Sequence, residues 1–258
     1  MSELFSIQLQ NRQQQGRDGV WLDLPTTTEQ VQAALRQIGI SSDNPQGLFI
    51  SGYFAEEEKR FAIPYNMVLA SNVDELNFLA SRLETLSTGE RAELNAALQA
   101  PQSELSSIGR ITDFPENVDY YVHLPDVHGP AQLGDYYLNR SGMVDMPEEW
   151  KGGIDTAQFG RYVAQQEQGA FTQYGYLVKS GDEWQKVHEG QPVPEEYRVL
   201  SFPAPEVLRD SANIPPPVQP ETEPQKVIPI ILNGKDSAER MKEITDRLET
   251  GIQQLFDS

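Results

Sequence analysis

The first quarter of the chain alternates between period-two and helical patterns of apolar residues. LFSIQLQ (4–10) and GVWLDLP (19–25) alternate apolar and polar positions, which is typical of half-buried strands. TTTEQVQAALRQIG (26–39) has one apolar face at helical spacing, and GLFISGYF (47–54) predicts a third strand. This order predicts a small antiparallel sheet covered by one helix. The helix should begin with a capping box, which either Thr26 with Glu29 or Thr27 with Gln30 could form.

The strongest helical pattern lies in the middle of the chain. SNVDELNFLASRLETL (71–86) carries apolar residues at helical spacing, with Asn72 and Glu75 as its predicted capping pair. GERAELNAALQA (89–100) follows, and Ser87 with Glu90 should cap it. Because the apolar face is buried, we expect the acids of both helices to face solvent. The residues expected to be buried on the first helix are Val73, Leu76, Leu79, Leu83 and Leu86.

A second α+β unit is predicted after residue 110. DYYVHLPDV (119–127) indicates a strand, and helices are expected over 130–142 and 155–166. A strand hairpin is predicted within 170–188, turning at Ser180-Gly181-Asp182.

The last part of the chain changes composition. SANIPPPVQPETEP (211–224) is proline-rich and indicates an extended linker, and one amphipathic helix is predicted after it. The predicted fold is therefore α+β: an elongated chain of small modules, then a linker and a helix. The module boundaries are 1–70 for the N-terminal α+β module, 71–110 for the acidic helical module, 111–210 for the C-terminal α+β module and 211–258 for the linker and helix.

Charge narrows the choice of partner. The chain has 258 residues and 39 acids against 20 bases, for a net charge of −19. Residues 71–130 are the most acidic part, with 10 acids and 3 arginines, a net of −7. Such a protein should be repelled by nucleic acid and attracted to proteins that bind DNA. No transmembrane pattern, signal peptide or cysteine is present, so a cytoplasmic location with no membrane contact is expected.

One stretch has the composition of a metal or acid–base site. DFPENVDYYVHLPDVHG (113–129) contains four acids and two of the three histidines. His123 and His128 are five residues apart, and an odd spacing sends strand side chains to opposite faces. Prolines at 125 and 130 also interrupt any helix that would align them. We therefore expect no metal here, no cofactor and no catalytic residue, because no hydrolase, phosphate-binding or dinucleotide motif is present either.

Several stretches, taken in order over about residues 4–190, resemble the ArdA-type antirestriction proteins. They are GVWLDLP (19–25), SNVDELNFLASRLETL (71–86), a long segment from Val118 to Val163 and GAFTQYGYLV (169–178). The family has a tyrosine-glycine-arginine-acid pattern, which here reads Phe159-Gly160-Arg161-Tyr162 without the acid.

This resemblance implies a homodimeric protein with no catalytic activity. Family members imitate the phosphates of bent double-stranded DNA with carboxylates, and they occupy the DNA groove of type I restriction–modification methyltransferases or related DNA-binding defence enzymes. No direct contact with nucleic acid is implied. The acids expected to contact the partner are Glu56, Glu57, Glu58, Asp74, Glu75, Glu84, Glu90, Glu93, Asp113, Glu116, Asp119, Asp126, Asp135, Asp145, Glu148 and Glu149.

Two other functions stay open from the residues alone. The protein could be an acidic adaptor that binds another defence or regulatory protein, or a metal-dependent hydrolase that uses Asp113, His123, Asp126 and His128. The tail AERMKEITDRLETGIQQLFDS (238–258) is similar to the opening helix of ArdC-type antirestriction proteins. We expect it to be either part of a truncated fusion or a docking helix.

Overall fold

The computed structural model describes residues 4–14, 18–56, 61–101 and 103–205. The predicted linker and helix of 211–258 lie outside these residues, as do Glu57 and Glu58. The fold is α+β with small antiparallel sheets, as predicted. The elements in chain order are β1 Phe5–Asn11, β2 Val20–Leu24, α1 Thr28–Gln37, β3 Leu48–Phe54, α2 Tyr65–Ala70, α3 Val73–Glu84, α4 Thr88–Gln99, α5 Ile108–Thr112, β4 Tyr121–Leu124, α6 Pro130–Asn139, α7 Glu148–Lys151, α8 Thr156–Glu167, β5 Ala170–Thr172 and β6 Gly175–Lys179.

The first sheet confirms the predicted order of strand, strand, helix, strand. Strand β1 lies between β2 and β3 and pairs antiparallel with both. Alternate residues of β1 (Phe5, Ile7 and Leu9) are buried, as period-two patterning requires. Helix α1 packs on this sheet, and of the two possible capping boxes the one formed by Thr27 and Gln30 is present.

Helices α3 and α4 have the predicted bounds to within two residues. Asn72 and Glu75 form the capping box of α3, and Ser87 and Glu90 form that of α4. All five predicted apolar residues of the α3 pattern are buried. Their side chains join one hydrophobic core that also takes in residues from β1 to Val199.

The second sheet has the strand order β4-β6-β5 and is antiparallel throughout. Leu177 of β6 points into the main core, which α4 also contributes to. On the opposite face, Tyr176 packs with Val127 and Leu133 in a smaller core that α6 and α8 cover. The second sheet is thus enclosed between α4 and the pair α6 and α8.

Two glycines allow α6 and α8 to pack in direct backbone contact. A Cβ atom added to Gly160 of α8 would lie 1.8 Å from the carbonyl oxygen of Pro130. One added to Gly134 of α6 would lie 1.9 Å from the carbonyl oxygen of Thr156. No side chain fits in either place, so both positions require glycine.

The predicted hairpin turn at residues 180–182 is wrong. The hairpin turns instead at Gln173 and Tyr174, because β5 ends at Thr172 and β6 begins at Gly175. The hydroxyl of Thr172 closes this turn by accepting from the Tyr174 amide at 3.1 Å. Ser180 binds the backbone of Tyr120 and the carboxylate of Asp182, and there the chain leaves the sheet.

Residues 183–205, here called the strap, form an irregular segment that returns across the domain. Trp184 packs edge-on against Tyr120 with ring centroids 5.1 Å apart, and Val199 is buried in the main core. The amide of Ser42 donates to the carbonyl oxygen of Pro203 at 2.9 Å. The strap therefore contacts both the residues that lead into β4 and the loop between α1 and β3. Over the described residues, no helix has the length and apolar character needed to cross a bilayer.

Candidate functional site: the carboxylate surface

The predicted partner-binding acids fall into groups of different exposure. Seven are exposed, six are partly exposed, one is buried, and Glu57 and Glu58 lie outside the described residues. The exposed ones are Glu56, Glu84, Asp119, Asp126, Asp145, Glu148 and Glu149. The partly exposed ones are Asp74, Glu75, Glu90, Glu93, Glu116 and Asp135.

Asp113 is the buried one, contrary to the expectation of an exposed acid. Its side chain is completely buried and accepts hydrogen bonds from the amides of His188 at 2.6 Å and Glu189 at 3.2 Å. A carboxylate can satisfy two buried backbone donors in this way. Asp113 therefore holds the strap and is inaccessible to a partner.

Asp74 also differs from the expectation that it would face solvent. It is only partly exposed, and its Oδ1 accepts from the amides of Val199 and Leu200, both at 2.7 Å. Asn77, one turn further along α3, donates to the carbonyl oxygen of Tyr197 at 3.0 Å. The polar side of α3 thus serves as a second attachment for the strap.

Glu93 on α4 has an unusual protonation state. Burial, together with the negative charges of Glu90 and Asp119, raises the pKa of Glu93 to about 8. Its buried Oε1 has no hydrogen-bond partner among the described residues. Near neutral pH this carboxyl group is therefore mostly uncharged and is a poor substitute for a phosphate.

The three arginines of the acidic middle segment all bind groups of the protein itself. Arg82 forms an ion pair with Glu116. Arg110 donates to Glu104 at 2.5 Å and to Glu189 at 2.9 Å. The Nε of Arg91 donates at 3.1 Å to the carbonyl oxygen of Leu86, and its guanidinium lies 5.5 Å from the ring centroid of Phe61. Each of these cations is therefore bound by groups of the protein itself, and the carboxylates that pair with Arg82 and Arg110 are only partly exposed.

The connection between α6 and α8 adds a second group of exposed acids. Asp145, Glu148 and Glu149 are exposed, and the single lysine, Lys151, folds back so that its side chain is 15% exposed and 2.5 Å from Glu148. Sequence reasoning missed Asp155, which is exposed and caps α8 by accepting from the amides of Ala157 and Gln158. Its position directly before a helix start is a recognisable N-cap signal.

Glu167 anchors the two helices to the second sheet. Its carboxylate accepts from the hydroxyls of Tyr137 on α6 at 2.5 Å and Tyr176 on β6 at 3.1 Å. Burial first, and then the hydrogen bond to Glu167 and its charge, raise the pKa of both tyrosines, so both remain protonated donors. This cluster fixes the position of α8 and hence of the acidic connection before it.

The histidines of the 113–129 stretch do not converge. His123 bonds through Nε2 to the carbonyl oxygen of Tyr174 at 2.7 Å, while His128 is exposed beyond the end of β4. No group of three histidine, aspartate or glutamate side chains among the described residues is arranged to hold a metal ion.

A cavity of about 980 Å³ lies between α3, α5 and the strap. Its acidic lining residues include Asp74 and Glu189, whose carboxylates already bind the strap backbone and Arg110, respectively. The cavity is thus bordered by the contacts that attach the strap.

Comparison with protein families shows the family to which the chain belongs. A family model described as "Antirestriction protein (ArdA)" matches residues 15–178. The chain belongs to the ArdA family of antirestriction proteins. Among curated proteins no match to the sequence was found.

The ArdA match runs from the loop before β2 to the next-to-last residue of β6. It includes both groups of exposed acids, and it ends before the strap begins. Asp74, Asn77 and Asp113 lie inside the matched region but bond to backbone groups beyond it. These polar residues therefore attach the ArdA region to the segment that follows.

Gly160 has a structural reason in the packing of α6 on α8. It lies in the Phe159-Gly160-Arg161-Tyr162 stretch, where its hydrogen in place of a side chain permits contact with Pro130. Tyr162 of the same stretch is exposed.

Proposed function

We propose that this ArdA protein inhibits type I restriction–modification methyltransferases, or related DNA-binding defence enzymes, by occupying their DNA groove. Its exposed carboxylates take the place of DNA phosphates, and it performs no catalysis. The proposed working form is a cytoplasmic homodimer, which the resemblance to the family supports. No cofactor or direct nucleic-acid contact is part of the proposal.

The observation that carries the proposal is that the arginines of the acidic segment are bound by the protein itself. Arg82, Arg91 and Arg110 bind groups of the protein itself. Exposed acids such as Asp119 and Asp126 are on the surface of the same segment. DNA attracts its binding proteins mainly through backbone charge, one negative charge per about 1.7 Å of helix axis. A surface with excess carboxylates can attract the same lysines and arginines.

The acids are also held on ordered elements. Glu84 ends α3 and Asp119 lies in a 3₁₀ turn that leads into β4. Glu148 and Glu149 begin α7, in the connection that Glu167 and the glycine contact of α6 and α8 hold in place. Groups fixed before binding lose less conformational entropy when they meet a partner. This favours competition with DNA for the same basic groups.

Collective neutralisation of charge tests the proposal. A variant with Asp119→Asn, Asp126→Asn, Glu148→Gln and Glu149→Gln should bind a type I methyltransferase about a hundredfold more weakly at low salt. This estimate assumes somewhat less than 1 kcal/mol for each exposed ion pair. Isothermal titration calorimetry would give both affinities.

The matched control changes four exposed acids that the proposal does not use: Asp43→Asn, Glu183→Gln, Glu195→Gln and Glu196→Gln. The control alters the net charge by the same amount, so the long-range electrostatic attraction to a basic protein is equal in both variants. We expect the control to lose less than about fivefold, since only long-range attraction changes. Equal losses in the two variants would refute a localised carboxylate surface.

A further inference from the structure

Trp150 is an ordered tryptophan that the fold leaves in solvent. It is 66% exposed, although hydrogen bonds close the turn around it, from its amide to Pro147 and from the Gly153 amide to its carbonyl, both at 3.0 Å. The other two tryptophans pack edge-on against aromatic rings: Trp184 against Tyr120 and Trp21 against Phe54. Tryptophan is enriched among the few residues that supply most of the binding energy at protein–protein interfaces.

The surroundings of Trp150 are negatively charged. Glu148 and Glu149 directly precede it in α7, and Asp145 lies earlier in the same connection. Lys151 is turned away from solvent onto Glu148, whose own side chain is 81% exposed. A cation that approaches these acids is therefore brought close to an exposed indole ring.

We propose that Trp150 stacks on an arginine guanidinium in the DNA groove of the target enzyme. The inference rests on the proposed function, and it adds an aromatic contact to the carboxylate contacts. An indole face attracts cations better than other aromatic side chains do, and guanidinium groups stack readily on it. Enzymes that grip phosphates line their grooves with such groups. A DNA phosphate offers no ring, so Trp150 supplies affinity that the imitated DNA backbone lacks.

Salt separates this contact from the carboxylate contacts. Ion pairs at the surface weaken as ionic strength rises, with a screening length of about 10 Å at 0.1 M salt. A stacked ring and guanidinium lie in direct contact and are screened much less. Trp150 should therefore lower the dissociation constant by a similar factor at all salt concentrations, while the acids determine how steeply binding falls with salt.

The test uses the full chain and a purified type I methyltransferase, with dissociation constants measured between about 50 mM and about 200 mM salt. Trp150→Leu should weaken binding about tenfold at every salt concentration, with an unchanged slope of log affinity against log salt. Trp150→Phe keeps an aromatic face, so its affinity should fall by less than that of Trp150→Leu. Trp21→Leu, at an exposed tryptophan of the first sheet, is the matched control and should bind as the wild type does.

Several outcomes would overturn the inference. If Trp150→Leu binds as the wild type does, Trp150 is not an anchor, although the proposed function stands. If Trp150→Phe and Trp150→Leu lose equal affinity, the contact is apolar and no guanidinium is stacked on the ring. If Trp21→Leu loses as much as Trp150→Leu, the effect is not local to α7. If the wild-type chain fails to bind, the proposed function falls and this inference with it.

Discussion

At the scale of single residues, exposure decides what a carboxylate does. Asp113 and Asp119 are six residues apart, yet Asp113 is buried and holds two strap amides while Asp119 faces solvent. Local sequence does not distinguish the buried aspartate from the exposed one. The backbone amides that donate hydrogen bonds to Asp113 come from residues 75 and 76 positions away, so its burial depends on the tertiary fold. The contribution of an acid to the proposed surface therefore depends on tertiary contacts.

Glu93 should make stability depend on pH in a recognisable way. Its pKa is raised to about 8 in the folded protein, so the folded state holds this proton more tightly than the unfolded state does. The contribution of Glu93 to the free energy of unfolding is complete below about pH 4.5 and is lost as pH rises through about 8.

Glu93→Gln removes this titration. The variant should gain stability relative to the wild type between pH 5 and pH 9, because the amide side chain that it introduces never ionises. Urea unfolding at several pH values measures the difference. A constant difference between the two proteins across that range would show that Glu93 titrates normally.

At the scale of elements, caps and periodicity made α3 and α4 predictable. Both begin with a side-chain cap and a matching residue at the third helical position, and both carry a regular apolar face. The short helices α2, α5 and α7 were missed because four to six residues show no period. Ser180-Gly181-Asp182 has the composition of a hairpin turn, but the strap leaves the sheet there.

The contact between α6 and α8 gives a prediction at this scale. Gly160→Ala should lower the free energy of unfolding by about 2 to 3 kcal/mol, because its Cβ would overlap the Pro130 carbonyl and force the helices apart. Chemical denaturation followed by circular dichroism measures this loss. Inhibition should fall as well, since the acidic connection joins these helices.

Gly152→Ala is the matched control for that variant. Gly152 lies in the same connection with φ −63°, and a Cβ atom there would meet nothing within 4 Å. We expect its stability to stay within about 0.5 kcal/mol of the wild type. A Gly160→Ala variant as stable as Gly152→Ala would contradict the close packing of α6 on α8.

At the scale of the whole molecule, the fold class and the family followed from patterns that extend over about residues 4–190. The stretches that carry the resemblance follow one another along the chain from β2 to β6, and the family match confirms that resemblance. The strap was not predictable, because it has no periodicity and its attachments join residues between 75 and 126 positions apart. The module boundaries at residues 70 and 110 stay predictions.

Removal of residues 211–258 separates the proposed function from the adaptor alternative. If the exposed acids of the ArdA region bind the target, the shortened chain should inhibit within about twofold of the full chain, well below the tenfold that 1.4 kcal/mol represents. A restriction assay on unmodified DNA compares the two. Loss of inhibition by a shortened chain with an unchanged circular dichroism spectrum would favour an adaptor that works through its tail.

The central claim is that this protein competes with DNA for one groove, and a displacement assay tests it most directly. A type I methyltransferase would be bound to fluorescently labelled DNA and titrated with the protein between about 50 mM and about 200 mM salt. The account predicts full displacement at low salt, with an affinity that falls as salt increases. DNA that stays bound at low salt under saturating protein would contradict it.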